Sequence, residues 1–217
     1  MTHVGDRPDW VERLSAGVAS VDEVPFLTPP PGGVEGLRHA AVLSLFGDGP
    51  DGPDVLLMQR SADMRSHAGQ PSFPGGRIDP TDDGPIGAAK REAHEETGLD
   101  PAGVEVLGLL PELWIPPSGN IVTPVVAWWR TPSEVSAVSP AEVDTVSRVP
   151  VADLVDPANR LTVRHPIGLE SPAFRVADML VWGFTAGVLD WLLTLTGWSV
   201  PWDRNIVEPV PLPGRAR

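Results

Sequence analysis

Glu92, Glu95 and Glu96 crowd the end of one predicted helix in a chain of 217 residues. On a wheel of about 100° per residue, Glu96 falls roughly 40° and Glu95 roughly 300° from Glu92, so all three share one arc. Ile86, Ala89 and Ala93 make the apolar stripe beside them, and Ala88 leaves the acids room. Lys90 and His94 fall on the opposite side, so His94 is expected to face solvent rather than serve as a base. A solvated acidic face is the bland alternative. Two penalties argue against it. Like charges four residues apart destabilise a helix, and acids in the last turn oppose its dipole. Several carboxylates, with no cysteine and few histidines, suit a hard divalent ion such as Mg²⁺. Neither His67 nor His165 stands in a metal-ligand spacing.

The helix itself is predicted over residues 85–97. Asp82 and Asp83 precede Pro85, and Gly98 follows Thr97, which are ordinary start and stop signals. Around it, residues 40–46, 55–58, 104–110, 121–129 and 143–149 read as strands. Residues 60–84 are rich in Gly, Pro and Asp and read as irregular. Residues 9–21 suit a short amphipathic helix, residues 25–33 a breaker-rich linker, and residues 176–196 a last long helix. The segment from Glu208 is Pro-rich and expected to be loose. Strands in the middle with helices between and after them suggest a mixed α/β sandwich. The expected divisions are 1–36 for the N-terminal helix and linker, 37–198 for the main domain with its C-terminal helix, and 199–217 for the tail.

The net charge is −13 and the pI about 4.6. Such a chain repels nucleic acid and anionic membranes, so neither is an expected partner. An anionic small substrate would need arginines or a cation. Without cysteine there are no disulfides, thiolate metal sites or Cys nucleophiles. The start lacks a basic segment followed by an apolar run, so a cytoplasmic protein is expected. Residues 179–200 are long and apolar enough to weigh as a membrane span. Asp190 at their centre and the lack of flanking basic residues favour a buried helix, or one packed on a second subunit in a homodimer.

Residues 76–99 read GRIDPTDDGPIGAAKREAHEETGL, which resembles the Nudix box. The half REAHEETGL matches every fixed position: Arg91, Glu92, Ala93, Glu95, Glu96, Gly98 and Leu99. The first half is one residue longer than the standard box, and Asp82 or Asp83 replaces its first Glu. Upstream, residues 56–76 (LLMQRSADMRSHAGQPSFPGG) resemble the signature of coenzyme A diphosphatases. Arg60, Ser61, Arg65, Gly69, Phe73, Pro74, Gly75 and Gly76 fall in place, and Met58 replaces the usual Thr.

This resemblance implies a Nudix fold, an α/β/α sandwich around a mixed sheet, here with N-terminal and C-terminal helical extensions. It implies Mg²⁺ or Mn²⁺ as cofactor. It implies a CoA-like nucleotide as substrate, with CoA or its thioesters cleaved to 3′,5′-ADP and a 4′-phosphopantetheine product. Glu92 and Glu96 are the first choice as metal ligands, with Gly76 beside them. Glu95 is a third ligand or the general base, and Glu142 an alternative base from outside the helix. Arg91 is expected to fix the carboxylates through Glu95. Arg60, Ser61, Arg65, Gly69 and Gly75 are expected to contact substrate, the arginines through the 3′-phosphate of CoA. Phe73 suits either the core or stacking on a ligand. Another nucleotide diphosphate substrate, such as ADP-ribose or a dinucleotide, is the alternative, and a non-catalytic nucleotide sensor a third.

Overall fold

In the computed structural model, residues 7–24, 26–28, 36–64, 67–116 and 119–211 are described. Helix α1 (Asp9–Ala19) leads to a sheet built on strand β1 (Arg38–Gly49). A turn returns the chain as β2 (Gly52–Arg60), and two short strands follow, β3 (Pro71–Ser72) and β4 (Gly75–Arg77). Helix α2 (Gly84–Thr97) crosses over to β5 (Val104–Leu109), β6 (Leu113–Ile115) and β7 (Asn120–Trp129). Strand β8 (Val143–Pro150) closes this set and runs into helix α3 (Val151–Val155). The main path of the sheet is β3-β2-β1-β7-β5, with β4 on β1, β6 on β7 and β8 on β2. Strands β1 and β7 are parallel and the other pairs antiparallel, so the sheet is mixed.

Strand β7 is buried along nearly its whole length, as a central strand covered on both faces should be. Pro124 sits inside it, where a missing N–H is normally not tolerated. It falls where β7 exchanges β6 for β5 as its neighbour, between the pairs Leu113–Val122 and Leu109–Val125.

The sheet divides two apolar cores. Leu43, Leu45, Leu56, Val125 and Trp129 meet Ala88, Ala89 and Ala93 of α2 on one face. Phe46, Leu57, Val126 and Trp128 meet the other helices on the opposite face. There α1 contributes Trp10, Val11, Leu14 and Val18, and α3 contributes Leu154. The α/β/α sandwich expected from the sequence is the fold of this chain. Ile86, expected in the stripe of α2, is exposed instead. It sits in the first turn, ahead of the Ala88–Ala89–Ala93 segment that lies on the sheet.

A second sheet was not legible. Strands β9 (Arg160–Arg164), β10 (Glu170–Val176), β11 (Met179–Val181) and β12 (Val207–Pro209) assemble in the order β11-β10-β9-β12. The expected helix over 176–196 is therefore two elements. Ala177 and Asp178 take positive φ and turn β10 into β11, and only Gly183–Leu195 forms helix α4. Among the described residues no helix is long and apolar enough to cross a membrane. The start of the segment from Glu208 is not loose either: β12 pairs in parallel with β9, and Val210 is buried, while residues 212–217 lie outside the described residues. Beneath it Arg160 is fully buried and ion-paired to Asp190, with Phe174 and Trp202 against its guanidinium at 4.3 and 4.6 Å.

Candidate active site

Helix α2 spreads its three carboxylates from core to solvent. Glu96 is 2% exposed, while the side chains of Glu92 and Glu95 are 18% and 55% exposed. The helix stops as its sequence demands, with Gly98 in the left-handed region donating its N–H to the His94 carbonyl. His94 is exposed on the far side, its Nδ1 2.9 Å from the Leu99 carbonyl.

The Gly75–Gly76 turn meets the acids through its backbone. Gly75 N–H donates to Glu96 Oε2 at 2.8 Å. A Cβ on Gly75 would strike the Ala41 carbonyl at 2.4 Å, and one on Gly76 would strike the Glu92 carboxyl carbon at 2.5 Å. Backbone of strand β1 lies behind Gly75, whereas only the movable end of the Glu92 side chain lies in front of Gly76.

Arg91 organises the outer side. Its guanidinium donates to both oxygens of Asp82 at 2.8 and 2.9 Å, to Glu92 Oε1 at 2.9 Å, to Glu95 Oε2 at 3.1 Å and to the Arg77 carbonyl at 3.0 Å. The expected Arg91–Glu95 contact is thus one part of a fork holding four groups. Of the two aspartates, Asp82 is the one engaged, and Arg91 beside it lowers its pKa to about 2. Asp83 caps the helix start without a side-chain hydrogen bond.

Arg60 enters from the end of β2. Its Nη1 lies 3.7 Å from Glu96 Oε1, and its Nη2 donates to Met64 Sδ at 2.9 Å. Nothing in the sequence marked Met64. Ser61 is buried and spent on the loop: its N–H donates to the Glu142 carbonyl and its carbonyl accepts from Gly69. Gly69 takes the positive φ the loop needs. Phe73 is in the core, with no surface left for a ligand. Arg65 lies outside the described residues. Glu142 precedes β8, exposed, with its carboxylate near enough to act on both Glu92 and Glu96.

Crowding these acids in a partly dry site has its electrostatic signature. Burial pushes Glu96 up to about 8, Glu92 and Glu142 add to the rise, and Gly75 N–H and Arg60 oppose it. Burial also raises Glu92, against the pull of Arg91. Among the described residues, no three acid or imidazole side chains converge as a closed metal cage. Mg²⁺ does not need one. It keeps several waters and is commonly held by one or two carboxylates together with substrate phosphate. Two mutually repelling carboxylates, with a cradle that a single Cβ would fill, fit that mode.

The site thus joins a mixed-sheet sandwich to a crossover helix whose acid pair suits a hard divalent ion. The NUDIX domain family model matches residues 37–167. The chain is 41% and 40% identical to the uncharacterized Nudix hydrolase NudL of two Escherichia coli strains, in both cases over 70% of this chain and 79% of the relative. A Nudix hydrolase from M. smegmatis, RenU, shares the fold with a TM-score of 0.53 at 23% identity, over 77% of this chain and 90% of that one. The chain belongs to the Nudix family, whose hydrolases act on phosphoanhydride bonds and use divalent metal ions.

Proposed function

We propose that this chain hydrolyses the diphosphate bridge of coenzyme A or its acyl thioesters, releasing 3′,5′-ADP and the 4′-phosphopantetheine product. The supporting observation is continuity. The segment that resembles the CoA diphosphatase signature forms one wall of the carboxylate site, with Gly75 bonded to Glu96, Gly76 against Glu92, and Arg60 beside Glu96.

Glu92 and Glu96 are the residues that would hold Mg²⁺ or Mn²⁺. The bound ion would supply charge neutralisation at the phosphate oxygens and a lowered pKa for a coordinated water. Arg91 positions Glu92 and Glu95 without touching substrate. Glu142 is the better general base of the two acids considered. It is exposed and acts on the ligand pair, whereas Glu95 is held outward by Arg91.

The test is a substrate panel of CoA, dephospho-CoA, ADP-ribose and a dinucleotide, with Mg²⁺ and with Mn²⁺. CoA should be the preferred substrate and 3′,5′-ADP its product. Cleavage of ADP-ribose with CoA left intact would overturn the CoA reading and leave the family untouched.

A further inference from the structure

We infer that Arg60 is a built-in counter-cation for the carboxylate pair, displaced towards the substrate diphosphate when a metal ion enters. The inference rests on Glu92 and Glu96 holding the ion, and not on CoA being the substrate.

The geometry of Arg60 is unusual for a partly buried arginine. Among the described residues, Arg7, Arg60, Arg148 and Arg160 have buried guanidinium nitrogens with no acceptor. Arg7, Arg148 and Arg160 each also have a carboxylate oxygen within hydrogen-bond reach. Arg60 does not: its Glu96 contact stands at 3.7 Å, too long for a hydrogen bond. Nη2 rests on a thioether, a weak acceptor, and Nε has none. A guanidinium left this short of acceptors is set for a ligand with several anionic oxygens, and phosphate matches its fork.

The backbone aims it there. The pairing of β2 with β8 shifts register between Gln59 and Arg60, so that Gln59 faces Thr145 and Arg60 faces Val143, passing over Asp144. A bulge of this kind re-aims the side chain beside it. The N–H of Ser61 on the Glu142 carbonyl, and that of Ala62 on Asp144 Oδ2, fasten the chain just beyond.

Arg60, 3.7 Å from Glu96, would repel a cation held there as a like charge. The contact holding Arg60 is long and easily given up. Released, the guanidinium would be free to pair with the oxygens of a diphosphate held at the carboxylates. Metal and diphosphate binding are then coupled through this one side chain. Arg60 on this account binds the substrate, and it serves the diphosphate rather than a 3′-phosphate.

The experiment is titration calorimetry of Mg²⁺ at about pH 9, without substrate, on the wild type, Arg60→Gln and Arg60→Lys. Removing a positive charge this close to a ligand should tighten Mg²⁺ binding by roughly 10-fold in Arg60→Gln, and Arg60→Lys should stay near the wild type. With Mg²⁺ saturating, α,β-methylene ADP should bind Arg60→Gln roughly 10-fold or more weakly, as loss of a charge-assisted bond requires. Turnover of CoA and dephospho-CoA should fall alike. Unchanged or weaker Mg²⁺ binding by Arg60→Gln overturns the inference, and unchanged analogue binding overturns the coupling. In the wild type, where folding of a variant is not at issue, the Arg60 Nε–H resonance should shift as Mg²⁺ is added. A resonance that stays put overturns it as well. If the metal results hold and CoA is not cleaved, the substrate reading fails and this one stands.

Discussion

Gly76 and Glu92 compete for one space: a Cβ on residue 76 would lie 2.5 Å from the Glu92 Cδ and 2.6 Å from both of its oxygens. The carboxylate keeps its position because residue 76 has no side chain. Gly76→Ala should therefore push Glu92 aside and leave the sheet intact, since a long side chain yields more cheaply than backbone. Turnover should fall by at least ~10-fold, in line with the effect of disturbing metal-site geometry, with a melting temperature close to that of the wild type. Gly75→Ala is the contrast. Its Cβ meets the Ala41 carbonyl at 2.4 Å and Val42 Cα at 2.6 Å, so the melting temperature itself should drop. Equal thermal losses in the two variants would contradict this division.

Glu96→Gln should lower turnover by at least ~100-fold, because the ion loses a charged ligand. The same variant carries a pH signature in the metal-free protein. Glu96 is raised from its ordinary 4.5 to about 8, so between those values the folded state holds a proton that the unfolded chain does not. The stability this contributes is full below 4.5 and is lost as pH rises through about 8. Thermal melts of the metal-free wild type should fall over that window, and those of Glu96→Gln should fall less. Added Mg²⁺ should stabilise the wild type more at pH 8 than at pH 6, because it binds the ionised form. A flat wild-type profile would count against the buried acid.

Asp82 and Asp83 should separate cleanly. Asp82 receives both arms of the Arg91 fork, and Asp83 makes no side-chain capping bond. Asp82→Asn should free Arg91 and cost about 10- to 100-fold in activity or metal affinity, the usual range for residues that orient metal ligands. Asp83→Asn should be nearly silent in both assays. The reverse order would assign the role of the replaced box glutamate to Asp83.

Asp190→Ala leaves Arg160 charged and enclosed without its partner. Breaking a buried pair from one side costs about 3–5 kcal/mol, and at ~2–4 °C per kcal/mol the melting temperature should fall by roughly 10 °C. Replacing both partners, as Arg160→Met with Asp190→Leu, should recover most of that loss. Activity measured well below the melt should survive, because α4 and α2 lie on opposite faces of the main sheet. A double variant no better than Asp190→Ala would deny that an unpaired charge is the cause.

Helix α2 was legible because Pro85 marks its start, Gly98 its stop, and alanines line the side that meets the sheet, although Ile86 falls outside that stripe. The long strands β1, β2, β5, β7 and β8 were legible as apolar runs between turn residues. The stretch 176–196 was not. A run that is apolar on all sides hides the difference between a period of two and one of 3.6. The break is carried by Ala177 and Asp178, two ordinary residues held at positive φ by the hairpin. Strand β12 was hidden by Pro209, which is tolerated because the strand lies at the edge of its sheet. At the site, the helix wheel placed Glu92, Glu96 and His94 correctly relative to one another. It could not show that Arg60 reaches Glu96, since that contact joins residues far apart in the chain through a bulge no local pattern announces.

Trp10 of α1 and Trp198, just after α4, lie 5.9 Å apart with their rings inclined at 41°. No other pair of indoles among the described residues is in ring contact, although the chain has eight tryptophans. Two indoles at that spacing and tilt exchange excitation, and the exchange splits their ultraviolet transitions into a circular-dichroism couplet. The signal exists only while both segments are seated against the domain. The protein therefore carries its own optical gauge of assembly, readable in variants whose turnover has been abolished.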